Sequence, residues 1–161
     1  QELPAGAMIS VPLSKADLMP FMTPEIEFAV FLSPTSCVVS GPTQAMNEFA
    51  ERLEKRSIGF RRLAVTRAFH SAMMDPILAR FHEVVRRVKL QRPTLRCLSG
   101  LSGTWMTDSE AQRSSYWVEH LRQTMRLGDC LSQLSSQTLL EVGPGNGLRA
   151  LAAQIRLDPE A

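Results

Sequence analysis

The chain predicts an α/β (α+β) fold, and three observations carry that reading. Between residues 8 and 65, short β-rich runs and amphipathic stretches follow one another in the order strand, helix, strand, strand, helix, strand. Beyond residue 75, longer helical patterns alternate with two further apolar runs, as they do in an α/β sheet. Finally, 44% hydrophobic content with 21% charge over 161 residues supplies enough apolar surface for a buried core.

Taken in order, residues 8–13 read as the first strand, after which Ser14 supplies an N-cap for a short helix ending at Met19. Runs 26–32 and 36–40 are β-rich and flank the turn Ser33-Pro34-Thr35, which predicts a hairpin. Gly41-Pro42-Thr43 breaks the second run and offers another N-cap. Met46, Phe49, Ala50 and Leu53 then fall on one helical face, and Gly59 is expected to end that helix before a strand over 60–65. The order is that of a ferredoxin-like βαββαβ unit, a small four-stranded sheet closed against two helices. Such a unit names no function by itself.

Downstream the character changes. Asp75-Pro76 opens a helix in which Leu78, Phe81, Val84, Val85 and Val88 form an apolar stripe, and Gln91-Arg92-Pro93 stops it. Residues 95–99 read as a buried strand, 116–122 and 127–134 as helices, and 138–142 as a final apolar strand. That strand runs into Gly143-Pro144-Gly145 and a helix with Leu148, Leu151, Ala152 and Ile155 inward. The glycines of Gly143-Pro144-Gly145-Asn146-Gly147 invite a phosphate-loop reading. They lack both the Lys-Ser/Thr of a nucleotide loop and the spacing of a dinucleotide fold, so a tight strand-to-helix turn is preferred.

The balance of 18 basic and 16 acidic residues, without a lysine-rich run, argues against nucleic acid as the main partner. Cys37, Cys97 and Cys130 stand apart, without the pairing of a zinc site or the even count of a disulfide framework, which suits a reducing cytoplasm. No apolar stretch reaches bilayer length, and Gln1-Glu2-Leu3-Pro4 lacks the regions of a signal peptide.

The chemistry centres on Thr66-Arg67-Ala68-Phe69-His70-Ser71-Ala72-Met73-Met74-Asp75-Pro76. This stretch resembles the histidine motif of polyketide synthase acyltransferase domains of malonyl-transferase type. Five further segments match that family in its order: Pro4-Ala5-Gly6-Ala7-Met8, Cys37-Val38-Val39-Ser40-Gly41-Pro42, Gly103-Thr104-Trp105, Tyr116-Trp117-Val118 and Glu141-Val142-Gly143-Pro144-Gly145. The resemblance covers nearly the whole chain. It implies a ferredoxin-like small subdomain over 1–66 and, over 67–161, the C-terminal part of an α/β-hydrolase-like acyltransferase core.

The resemblance also assigns roles. In this family a serine takes a malonyl-type group from coenzyme A and passes it to the phosphopantetheine thiol of an acyl carrier protein, with no metal or bound cofactor. His70 matches the histidine that removes the serine proton, a role suited to an imidazole with a pKa near ~6.5. A main-chain carbonyl near His120 is implied as the acceptor that fixes the ring. For the His120 imidazole itself, and for His82, an exposed position on a helix is expected. Phe69, just before the histidine, is implied to narrow the pocket at the acyl α-carbon and favour malonyl over methylmalonyl, a bias of ~1–3 kcal/mol. Arg67 stands where malonyl-type members usually have histidine and could meet an acidic substrate, while Arg61 and Arg62 join it as candidate contacts for an acidic carrier protein or coenzyme A phosphates.

No Gly-x-Ser-x-Gly elbow occurs; Ser99-Gly100-Leu101-Ser102-Gly103 comes nearest, with its glycines misplaced. The resemblance puts the elbow serine, the carboxylate-binding arginine and the oxyanion hole before Gln1, so the chain alone is expected to be inactive. Leu32 and Gly100 stand where the family has asparagines. These losses support an alternative, a decayed module that only docks a carrier protein or a neighbouring ketosynthase; an unrelated ferredoxin-like regulatory protein is a third reading.

Overall fold

The computed structural model describes residues 3–157; the reading of Gln1-Glu2 and the end of the 67–161 unit lie outside the described residues. Four strands form one sheet: β1 (Gly6–Val11), β2 (Glu27–Ser33), β3 (Ser36–Pro42) and β4 (Arg61–Arg62). The sheet order is β2-β3-β1-β4, and every neighbouring pair is antiparallel. Helix α1 (Lys15–Leu18) follows β1, and α2 (Thr43–Glu54) connects β3 to β4.

Local sequence explains these elements. Ser14 caps α1 through the Asp17 amide at 3.1 Å, and Ser33-Pro34-Thr35 makes the predicted hairpin, closed by the pair Ser33 and Ser36. β3 continues through Gly41 and Pro42, so Pro42 occupies the cap position of α2 and Thr43 lies inside the helix instead of capping it. Ile9, Val11 and Val39 on one sheet face meet Met46, Phe49, Ala50 and Leu53 of α2 in the main core. Cys37 belongs to that core, and burial pushes its thiol up to about 11. On the opposite face, Met8, Ala29 and Val38 form a smaller cluster with Leu32 and Leu63.

Two further expectations require correction. Helix α2 ends at Glu54 rather than near Gly59, because Ser57 takes a left-handed conformation, φ 57°, and the Ile58 amide returns to the Leu53 carbonyl at 3.0 Å. The strand expected over 60–65 contracts to β4, since the Val65 amide bonds back to Leu63 and leaves the ladder.

The second half holds α3 (Asp75–Arg86), α4 (Asp108–Gln112), α5 (Ser114–Arg122), α6 (Leu127–Ser132) and α7 (Gly147–Leu157). Pro76 sits in the first turn of α3 as expected, but Val84 and Val88 are exposed and of its stripe only Val85 is buried. Leu148, expected inward on α7, is 49% exposed, while Ala152 and Ile155 are buried. Helix α4, absent from the sequence reading, carries a full capping box between Thr107 and Glu110.

Neither strand predicted in this half forms. Around 95–99 the backbone bonds are used locally, Ser99 N–H to Thr104 and Met106 N–H to Cys97, leaving one bridge between Leu98 and Trp105 and Leu95 81% exposed. Residues 138–142 have Leu140 and Val142 exposed and no strand beside them among the described residues. Apolar composition raises the demand for burial, but a strand also needs a ladder partner.

The halves join at the outer edge of β2. Met125 bridges Val30 in parallel, with Met125 N–H to Ala29 and Phe31 N–H to Met125 both at 2.8 Å, and the Thr124 hydroxyl donates to Phe28 at 2.7 Å. The segment between α5 and α6 is thereby stitched to the small sheet.

Candidate active site

The His70 loop is held at both ends. Gly6 N–H donates to the Thr66 carbonyl at 3.1 Å, Ala68 is fully buried against Gly6, and the buried Ser71 hydroxyl donates to Ala68 at 2.7 Å while accepting from Met73 N–H. Between these ties His70 adopts φ 59°, a left-handed conformation that costs a non-glycine residue roughly 1 kcal/mol or more. Such strain persists only where the surroundings over-determine it, and it turns the imidazole toward α5.

The His70 ring lies edge-on to that of His120, with centroids 6.2 Å apart. Its Nδ1 is buried and makes no hydrogen bond of ordinary geometry. Burial, and then the neighbouring His120 imidazole, hold the His70 pKa below the ordinary 6.5, while main-chain groups of Gln123 and His120 act in the opposite direction. The shift favours the neutral, proton-accepting form of the ring, with backbone groups at hand to favour the charge it would gain.

His120 departs from its expected exposed position. Its half-buried imidazole packs beside Tyr116 and against Gly100, where a Cβ would stand 3.1 Å from Nε2 and 2.6 Å from the Met125 methyl; burial lowers the His120 pKa. His82 is also half-buried, and its Nε2 pairs with the Ser114 hydroxyl at 2.9 Å, joining α3 to α5. Below His120, the buried Ser99 and Tyr116 hydroxyls share a hydrogen bond of 2.7 Å.

Two hollows flank this cluster. One, of about 370 Å³, is lined by His120, Gly100, Tyr116, Trp117 and Leu98 among others. The larger, of about 800 Å³, lies between the small sheet and α6 and is lined by Phe31, Gln123, Thr124 and Arg126 among others. His70 lines neither; it stands by residues that contribute to each. Phe69, beside it, is 38% exposed, and Arg67 is half-buried with its guanidinium donating to the Thr66 carbonyl at 2.7 Å. Arg61 and Arg62 are exposed on β4.

The sequence reading missed the charged group that ties this region together. Arg122 spans Glu27 of β2, at 2.9 Å, and Asp75 of α3, at 2.7 Å, and Glu27 also accepts from Ala72 N–H at 2.6 Å. The available signal was an acid at the head of the apolar run 26–32 and an arginine two places after His120. Among the described residues, no group of three or more His, Cys, Asp or Glu side chains converges as a metal site, and no helix is long and apolar enough to cross a membrane.

Residues 1–150 match the family described as the acyl transferase domain. A phenolphthiocerol/phthiocerol polyketide synthase polypeptide from Mycobacterium tuberculosis is 36% identical over 154 residues, 94% of this chain and 10% of that protein. Mycoketide-CoA synthase of the same species is 34% identical over 93% of this chain and 4% of its own length. The chain thus spans a tenth or less of these curated relatives. Among solved structures, the acyl transferase domain of SpnD aligns with a TM-score of 0.89 at 34% identity, covering 97% of this chain and 39% of that one. The acyltransferase domain from the second module of the salinomycin polyketide synthase gives 0.86 at 34% identity, covering 99% and 38%. Malonyl CoA-acyl carrier protein transacylase from Burkholderia pseudomallei, at 21% identity and a TM-score of 0.84, covers 98% of this chain and 58% of that one and shares the fold.

Proposed function

Because this chain belongs to the acyl transferase domain family, in the branch found in polyketide synthases, we propose that it supplies the general base for moving a malonyl-type group from coenzyme A to an acyl carrier protein. In this reading residues 1–66 are a ferredoxin-like small subdomain and 67–161 are part of the larger α/β core. His70 takes the proton from a serine hydroxyl contributed outside these residues. The serine oxygen attacks the thioester carbonyl, the coenzyme A thiolate leaves with that proton, and the acyl-serine passes its group to the carrier thiol by the reverse sequence.

One observation carries the proposal: a strained, half-buried, neutral-leaning imidazole beside the main chain of His120 and Gln123, within the motif the family shares. A base of this kind contributes roughly 10²–10⁴-fold to such a proton transfer. Main-chain atoms at His120 and Gln123 provide the support, a role that does not itself need an imidazole at position 120. Phe69 favours malonyl over methylmalonyl, and Arg61, Arg62 and Arg67 offer cations to an acidic carrier protein or coenzyme A phosphates. Cytoplasmic action beside a ketosynthase belongs to the same reading.

The test is transfer of labelled malonyl from malonyl-coenzyme A to a carrier protein by the full-length protein and by its His70→Ala variant. Loss of at least ~10²-fold in kcat is expected; retained transfer in the variant defeats the proposal. The purified 161-residue chain is expected to transfer nothing. Carrier-protein binding without transfer by the full-length protein would favour the docking-module reading, which Leu32 and Gly100 motivate.

A further inference from the structure

Three elements converge on the His70 loop, and one side chain touches all of them. Arg122, at the last turn of α5, donates from Nη1 to Glu27 at 2.9 Å, from Nη2 to the other Glu27 oxygen at 3.4 Å, and from Nε to Asp75 at 2.7 Å. Glu27 in turn accepts from Ala72 N–H, two residues after His70, at 2.6 Å. Asp75 opens α3 and closes the same loop from its far end. Arg122 also lies two residues after His120 and one before Gln123, whose main-chain groups act on the His70 ring.

We propose that Arg122, through Glu27 and Asp75, is a positioning residue that fixes the distance between the His70 ring and the main chain of His120 and Gln123. The inference rests on His70 being the base. An ion pair this open to solvent, with Arg122 28% and Asp75 54% exposed, adds little stability of its own. Its effect is geometric: a planar fork gripping two carboxylates locks three backbones in register, which a point charge cannot do. The left-handed turn at His70 needs such external ties, because without them the residue relaxes to a less strained conformation and the ring swings away.

The test uses the full-length protein with Arg122→Gln, Arg122→Lys and, as reference, His70→Ala. Arg122→Gln is expected to lower kcat for malonyl transfer by roughly 10- to 100-fold, with KM for malonyl-coenzyme A and the melting temperature nearly unchanged. Arg122→Lys is expected to behave like the glutamine variant. Carbethoxylation of histidines, followed by peptide mass spectrometry, gives a second readout: His70 should react several-fold faster once released, and His82 should not change. An active His70→Ala variant would remove the premise rather than this inference. If His70→Ala is inactive, the inference is overturned by a wild-type kcat in Arg122→Gln, by an effect confined to KM, by full recovery in Arg122→Lys, or by equal labelling changes at His82.

Discussion

Substituting Gly6 by alanine is expected to disable the His70 loop from beneath. A Cβ on Gly6 would stand 2.6 Å from the Ala68 amide nitrogen and 2.8 Å from the Ala68 Cβ, and Ala68 is fully buried. The obstacle is backbone rather than a yielding side-chain tip, so segment 66–68 must retreat by about 0.8 Å to reach ordinary van der Waals contact. Gly6 itself has no positive φ, so alanine strains nothing of its own. His70 is two residues beyond Ala68, and the base function proposed for it depends on its distance to the main chain of His120 and Gln123. A shift of that size in a reacting group costs on the order of 10²-fold in rate. Overpacking of this kind costs about 1–3 kcal/mol of stability, so steady-state malonyl transfer and thermal unfolding should be measured together. Gly59→Ala is the control, since nothing lies within 4 Å of a Cβ there, and it should leave both values near wild type. A cooperatively folded Gly6→Ala protein with an unchanged kcat would refute the claim that β1 sets the position of the loop.

Gly100→Ala should destabilise the fold by about 1–2 kcal/mol through contact first with the Met125 methyl and then with His120, and Met125→Ala should recover much of that loss; strict additivity in denaturant melts would show that the Met125 contact carries none of it. If His70 is the base proposed here, the acidic limb of the kcat/KM profile should fall below pH 6.5, because burial lowers the His70 pKa. The same shift means that the unfolded chain binds more protons than the folded one just below pH 6.5, so His70 makes stability decline as pH falls through that window. His120, whose pKa burial also lowers, contributes a slope of the same sign, so His70→Ala should reduce the slope without abolishing it, and an unaltered slope would contradict the His70 share. Ser57→Gly should stabilise by about 0.5–1 kcal/mol by relieving the left-handed φ of 57°, read as a higher melting temperature.

Much of the first half was legible because its signals are local. Ser14, Ser33-Pro34-Thr35 and the Met46-to-Leu53 stripe each act within a few residues, and all three appear where they were read. The His70 motif was legible as a string of residues, whereas its left-handed turn was not, since the pressure that holds it comes from Gly6 and Ser71. The failures depend on distant partners. Residues 95–99 and 138–142 are apolar enough for strands, but hydrogen bonding decides, and among the described residues their backbones pair locally or with no neighbouring strand. The Arg122 bridge joins residues 95 positions apart, beyond any periodicity, and the burial of His120 follows from the missing side chain at Gly100.

The seam along β2 bears on how the molecule can be divided. Strand edges with free amides and carbonyls recruit other chains, and here Thr124 and Met125 occupy the edge. Cutting after residue 66 would strip that cover and bare the carbonyls of Phe28 and Ala29 together with the amide of Phe31. The liberated sheet would be a self-adhesive fragment, which makes the covalent continuity of the two parts a safeguard against clumping as well as a scaffold.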